Sequence, residues 1–216
     1  MIATSQEAAG TKKALLESAT VLFAERGFDC VSLREITSSA GANVASVKYH
    51  FGSKEALIDA VVLELVAPIN TERLARLSAL KETGTPGVRA LLRAFHEPLL
   101  SQFSQSELSE RLFCKLMGRL VGERPYHFPP QIMAQFRQVA KGFVPAFREA
   151  IPHLTLKDVF WNIHFSFGVV SHSLMHGELL SEISEGSVKR EKMEALMERM
   201  IDFCEAGFKR TKGGRR

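Results

Sequence analysis

The 216-residue sequence predicts an all-α protein, with a small N-terminal three-helix unit containing a helix-turn-helix and then a larger helical bundle, about nine helices in all. Three observations carry that expectation. Apolar residues recur at helical spacing along nearly the whole chain. Strand signals, meaning alternating β-branched runs joined by Asn-Gly or Asp-Gly turns, are missing, and only Asp29–Ser32 hints at extended backbone. Capping residues, glycines and prolines punctuate the chain where helices would start and stop.

The first helix is expected over about Thr11–Arg26, with Leu15, Ala19, Leu22 and Phe23 on one face and Gly27 as its stop. The second opens with Ser32-Leu33-Arg34-Glu35, a capping box, and ends at Gly41, which can take the left-handed conformation of a tight turn. The third is short, about Val44–Phe51, with Asn43 placed to cap it. The fourth starts at Gly52-Ser53-Lys54-Glu55 and runs towards Lys81, bent at Pro68. Thr85-Pro86 opens the fifth, about 86–103, with a kink at Pro98. The sixth lies near Glu107–Gly122, before a loop at Pro125–Pro130. The seventh covers about Gln131–Ala150, perturbed by Pro145. Thr155-Leu156-Lys157-Asp158 caps a long eighth helix reaching about Leu180, and the ninth occupies about Val188–Lys209. The expected domains are 1–58 and 59–216.

Composition narrows the setting. Hydrophobic residues make up 45% of the chain, enough for a sizeable core. No run of about 18 uncharged apolar residues suggests a membrane span. Met1–Gly10 has no apolar signal core. Cys30, Cys114 and Cys204 are far apart, without metal spacing, which fits a reducing cytoplasm and reads as small buried hydrophobes. The net charge of +4 misleads, because it falls to −1 once the five basic residues between Lys209 and Arg216 are set aside. Residues 1–55 carry six basic and six acidic groups and are neutral overall. A broad positive field is therefore not the argument for nucleic acid.

The local pattern over Ser32–Phe51 is. Leu33, Ile36 and Ala40 form an inner face on the second helix, and Val44, Val47 and Phe51 form one on the third. The glycine-containing turn between them permits the steep crossing of a helix-turn-helix. Ala45, Ser46, Lys48, Tyr49 and His50 are left looking outward. Small residues early in the helix allow close approach to a major-groove floor, and lysine reaches base acceptors or phosphate. Serine, tyrosine and histidine suit phosphate and sugar. Spacing alone leaves open a second reading, in which the three helices are a miniature core.

A stretch from Ala14 to Leu57, about one fifth of the chain, resembles the N-terminal domain of the tetracycline-repressor (TetR/AcrR) family. The resemblance is carried by Ser18-Ala19, Leu22-Phe23-Ala24-Glu25-Arg26-Gly27-Phe28, Ser32-Leu33-Arg34-Glu35-Ile36, Ala40-Gly41, Tyr49-His50-Phe51 and Gly52-Ser53-Lys54-Glu55-Ala56-Leu57. It implies that Arg34 reaches a base edge or phosphate, that Val44, Ala45 and Lys48 meet bases, and that Ser46, Tyr49, His50 and Lys54 contact phosphates. With Ser32 these form the candidate DNA-binding set. Lys48 departs from the family pattern, which places an aromatic there, so base preference does not carry over. The resemblance further implies a DNA-binding transcriptional regulator, most often a repressor, acting as a homodimer on a palindromic operator and released by a small effector. No cofactor is implied.

The second half adds its own signals. The eighth helix is apolar on almost every side, with Val159, Phe160, Trp161, Ile163, Phe165, Phe167, Val169, Val170, Leu174 and Met175. Such a helix must be buried almost all round, either at the centre of a monomer or against a second copy. Pairing through the helices near 155–180 and 188–209 is expected, with Met193, Leu196, Met197, Met200, Ile201 and Phe208 supplied by the ninth. The candidate effector site groups Phe103, Leu116, Phe143, Phe147, Trp161 and Phe165 with Arg119 and His164 as orienting polar groups, although aromatics at this spacing also build cores. Fifteen phenylalanines suit a hydrophobic or acyl-type ligand. His172 and His176 stand one turn apart near Glu178, which could ligate a metal but more commonly marks a solvated face. No nucleophile-base set or phosphate loop stands out, and no enzymatic activity is expected. A constitutive DNA-binding dimer and a ligand carrier that inherited the head remain alternatives.

Overall fold

In the computed structural model, residues 5–99, 110–122, 128–189 and 191–212 are described. Phe103, the expected last turn of the fifth helix (100–103), the start of the sixth (107–109) and the loop residues 123–127 lie outside them. The described helices are α1 (Ser5–Arg26), α2 (Leu33–Ser39), α3 (Val44–His50), α4 (Lys54–Glu82), α5 (Val88–His96), α6 (Glu110–Gly122), α7 (Pro130–Ala150), α8 (Leu156–Ile183) and α9 (Met193–Arg210). No strand occurs among the described residues.

Two compact units form. The first comprises Met1–Ala67 and Ser106–Ile132, the second Pro68–Gln105 and Met133–Arg216. The division falls within α4, at Pro68, through which the helix continues. In the first unit α1 packs against α2, α3 and α6. Its core is Leu15, Ala19, Phe23, Phe28, Ile36, Val47, Leu57, Val61, Phe113 and Leu116, all buried. The α1 stripe is the one the sequence marks, but the helix begins six residues earlier than expected. Ser5–Gly10 is rich in good helix formers and has Glu7 in the first turn, where a negative charge suits the helix dipole. α6, which the sequence groups with the C-terminal bundle, packs on α1.

The second unit holds the later half of α4 with α5, α7, α8 and α9. α9 lies against α5 and α8. Phe147 stacks on Phe208 with ring centroids 4.7 Å apart, and Phe143 meets Phe95 edge-on at 5.1 Å. Arg89 on α5 reaches Glu198, Asp202 and Glu205 on α9, at 2.7, 2.5 and 3.0 Å. Met197, Met200, Ile201 and Phe208, placed by the sequence at a pairing surface, are instead buried inside this unit. Of the large apolar side chains described on α9, Phe203 is the exposed one.

Several helix ends differ from the expectation. Thr85 does not cap α5; its hydroxyl donates to Glu149 at 2.9 Å, and the helix starts after Gly87 with no side-chain cap. α5 ends at His96, just ahead of the expected kink, because Pro98 has no N–H to continue the ladder. The Thr155–Asp158 capping box forms as read, with both reciprocal bonds present. α8 is kinked at His176, whose φ of −121° and ψ of 21° are not helical.

Candidate nucleic-acid interface

α2, α3 and α4 are held by side-chain caps. Ser32 Oγ accepts from the Glu35 N–H at 3.3 Å, while the Glu35 carboxylate accepts from the Ser32 N–H at 2.8 Å and its hydroxyl at 2.7 Å. Arg26, at the end of α1, donates to the other Glu35 oxygen at 2.6 Å and to the Cys30 carbonyl at 3.2 Å. These donors hold the Glu35 carboxyl down to about 2, with the Ser32 hydroxyl the largest cause, its backbone N–H next and Arg26 third. One carboxylate thereby fixes both the start of α2 and the α1–α2 connection.

α2 ends in a Schellman arrangement. Ala42 N–H donates to Thr37 O at 2.8 Å, Gly41 N–H donates to Ser38 O at 3.4 Å, and Gly41 has φ of +62°. Asn43 then caps α3, its Oδ1 accepting from Ser46 N–H at 2.9 Å and Ser46 Oγ at 3.1 Å. Val47 is fully buried and anchors the helix. Val44, Ala45, Lys48 and Tyr49 are exposed, Tyr49 at 80%. Their spacing of i, i+1, i+4 and i+5 puts them on one face. Val44 is thus not part of the inner stripe; as the first residue after the cap it lies beyond the packed turn.

The remaining candidates are placed unevenly. Arg34 is exposed on α2. Ser46 and His50 are half-buried, the first engaged with Asn43 and the second edge-on to Tyr49 at 4.9 Å. Ser53 Oγ accepts from the Ala56 N–H at 3.1 Å and caps α4. Lys54, in the first turn of α4, extends Nζ to 3.5 Å from the Asp29 carbonyl, and Ser32 is occupied by its capping box. Lys12 sits on α1 with its ammonium 5.9 Å from the Phe51 ring centroid. That adds a positive group beside the C-terminal end of α3. No sequence signal marked it, since the contact spans 39 positions.

The seven described residues of the candidate effector site fall in both units. Leu116 and Arg119 belong to the first unit, Leu116 in its core. Arg119 Nε donates to the Ala24 carbonyl at 3.1 Å and Nη2 to the Glu25 carbonyl at 3.0 Å, so it serves the C-terminal end of α1. Phe143 and Phe147 are buried in the second unit. Trp161 and Phe165 stack on each other on the outer face of α8, both at least half exposed, with His164 edge-on to Trp161 at 5.7 Å. Phe103 lies outside the described residues. His172 and His176 have ring centroids 4.8 Å apart on the same exposed side, and among the described residues no group of three His, Cys, Asp or Glu is placed for a metal. No described helix is long and apolar enough to cross a membrane.

A capped short helix presenting small residues, a lysine and a tyrosine beside an exposed arginine is the head of a helix-turn-helix DNA-binding protein. Family models sharpen this class. Residues 15–61 match "Bacterial regulatory proteins, tetR family", and residues 93–207 match "Tetracyclin repressor-like, C-terminal domain". The chain belongs to the tetracycline-repressor family of transcriptional regulators. Among curated proteins it is similar to the probable HTH-type transcriptional regulator YttP of Bacillus subtilis, 44% identical over 54 residues, a quarter of this chain (25%) and 26% of that one. It is also similar to the HTH-type transcriptional repressor KstR2 of Rhodococcus jostii, 25% identical over 137 residues, 63% of this chain and 65% of that one. The chain therefore spans about a quarter of the first relative's length and just under two thirds of the second's. Among solved structures, AibR in complex with isovaleryl coenzyme A and operator DNA matches with a TM-score of 0.61 at 17% identity, covering 89% of this chain and 97% of that one. The fatty acid degradation regulator FadR from Bacillus halodurans matches with a TM-score of 0.58 at 13% identity, covering 91% and 95%. At these identities the likeness is one of fold.

Proposed function

We propose that the chain is a homodimeric repressor that binds a palindromic operator and is released by a small hydrophobic effector. The observation that carries this reading is the α3 face. Ala45 and Val44 permit close approach to a groove floor, Lys48 and Arg34 reach base edges or phosphates, and Ser46, Tyr49, His50 and Lys54 serve the flanking phosphates. On this reading residues 1–58 are the DNA-binding head, and residues 59–216 bind effector and pair.

Pairing is supported by the apolar stripe left uncovered on α8, comprising Leu156, Phe160, Trp161, Phe165, Leu179, Leu180 and Ile183, with Phe203 on α9. Unpaired apolar area of this extent is costly in water and suits a second copy. Two-fold pairing would present two recognition helices to a symmetric site. Effector release is supported by α4. Its 29 residues, roughly 43 Å of helix, begin beside the recognition helix and end in the second unit. A ligand that favours one placement of α4 need supply a coupling of only about 1–3 kcal/mol. One structural neighbour, AibR, is solved with both an acyl coenzyme A and operator DNA, which supports a fold able to hold a small molecule and DNA together.

Selecting fragments bound by the full chain from a genomic library at moderate salt tests the reading. A two-fold symmetric sequence is expected to be enriched, and small apolar metabolites are then expected to release it. Failure to enrich any palindrome would overturn the proposal.

A further inference from the structure

The second unit contains a buried cation for which no carboxylate partner is found among the described residues. Arg73 on α4 is 5% exposed. Its Nε donates to the Phe95 carbonyl at 2.7 Å and its Nη1 to Asn70 Oδ1 at 3.0 Å, while its guanidinium carbon lies 4.3 Å from the Phe95 ring centroid. Asn70 is held in turn by donating to Gln135 Oε1 at 3.2 Å. Arg73 Nη2 has no hydrogen-bond partner among the described residues. Nearby arginines are treated differently: Arg76 reaches Glu72 and Glu97, and Arg93 reaches Glu97 and Glu198.

A second orphan stands next to the first. The Phe95 carbonyl that Arg73 holds is bonded to the backbone nitrogen of His96, which is fully buried at the end of α5. His96 Nε2 lies 3.0 Å from Ser166 Oγ on α8, and Nδ1 has no partner among the described residues. Burial, and then the charge of Arg73, lower the His96 imidazole to about 3, so it is neutral near pH 7. Burial draws Arg73 down to about 10, and it remains charged there. A desolvated guanidinium with a free N–H is costly to keep without an anion. Neutral side chains would serve the bonds to Phe95 and Asn70 as well.

We propose that Arg73, with His96 beside it, is the anchor for the carboxylate of an effector whose apolar body lies against the Phe95–Phe143 aromatic pair. This deepens the effector-release reading and rests on it. One buried positive charge matches one carboxylate; a polyphosphate would bring several negative charges into a site with one cation. Arg73 Nη2 donates to the carboxylate. When Ser166 turns its hydroxyl from the Ile163 carbonyl to His96 Nε2, Nδ1–H becomes a second donor. The sequence pointed to Arg119 and His164 for this role, because an arginine on an amphipathic helix ordinarily reads as solvated.

Thermal melts and calorimetry on the full chain test the proposal, with octanoate and benzoate compared against octanamide and benzamide. At least one acid is expected to stabilise the protein while its amide does not, and Arg73→Gln is expected to weaken that acid by about tenfold or more. His96→Gln is expected to weaken it less. Equal binding of acid and amide, no binding of either acid, or retention of the acid by Arg73→Gln overturns the proposal. If Arg73→Gln does not fold, the acid-against-amide comparison on the wild type decides alone. Operator release measured in parallel separates the two readings. Amides that release the operator while acids do nothing would keep the effector-release reading and remove the carboxylate anchor. Acids that bind through Arg73 without release would do the reverse.

Discussion

Replacing Arg119 by alanine separates a structural tie from a ligand contact. Its guanidinium donates to the Ala24 and Glu25 carbonyls, two of the C-terminal α1 carbonyls that have no partner within the helix. Hydrogen bonds from a charged donor contribute about 1.5–3 kcal/mol each, and the lower end applies because one of these bonds is exposed and the other half-buried. The pair together is then worth about 2 kcal/mol, after allowing for water replacing Arg119 at the exposed carbonyl. For a chain of this length each kcal/mol moves the melting temperature by about 2–4 °C, so Arg119→Ala should melt roughly 6 °C lower. Arg119→Lys, which has no fork to span two carbonyls, should recover about half of that. Differential scanning calorimetry reads both. A variant that melts within about 1 °C of wild type but no longer responds to effector would refute the reasoning and return Arg119 to the ligand.

Two further outcomes follow from the geometry. The Glu35 carboxyl is depressed from 4.5 to about 2 in the fold, so its contribution is complete above pH 4.5 and is lost as the pH falls towards 2. Glu35→Gln should therefore flatten the acid limb of the melting-temperature profile, and an unchanged limb would count against the capping network. Phe165 is 59% exposed on α8, so Phe165→Glu should leave the protomer's melting behaviour nearly unaltered while halving the sedimenting mass of the dimer.

Features set by near neighbours were legible in the sequence. The Ser32–Glu35 and Thr155–Asp158 boxes, the Asn43 cap and the left-handed Gly41 each depend on residues within three or four positions, and all of them form. Features set by distant neighbours were not. Thr85 looks like a cap, but its hydroxyl finds Glu149, 64 positions away. The α8 sequence is apolar all round, so pattern alone could not say that Val159 and Val170 turn inward while Phe160, Trp161 and Phe165 stay outside. The α9 methionines likewise looked free for a partner until Phe147 and the α5 contacts claimed that face. Ala45, Lys48 and Tyr49 were legible as the exposed side of α3 because a short helix with one buried side has little choice about the other. Arg73 and His96 were not, since nothing local marks a charged or titratable side chain as buried.

The most direct test is the affinity of Lys48→Ala for the symmetric duplex recovered with the wild-type chain, measured at fixed salt beside an unrelated duplex. A loss of about tenfold or more is expected on the selected duplex, deepened by adding Tyr49→Ala, in a variant that folds normally because both side chains are exposed. A double variant that still binds the selected duplex as tightly as wild type would contradict the assignment of α3 as the recognition helix.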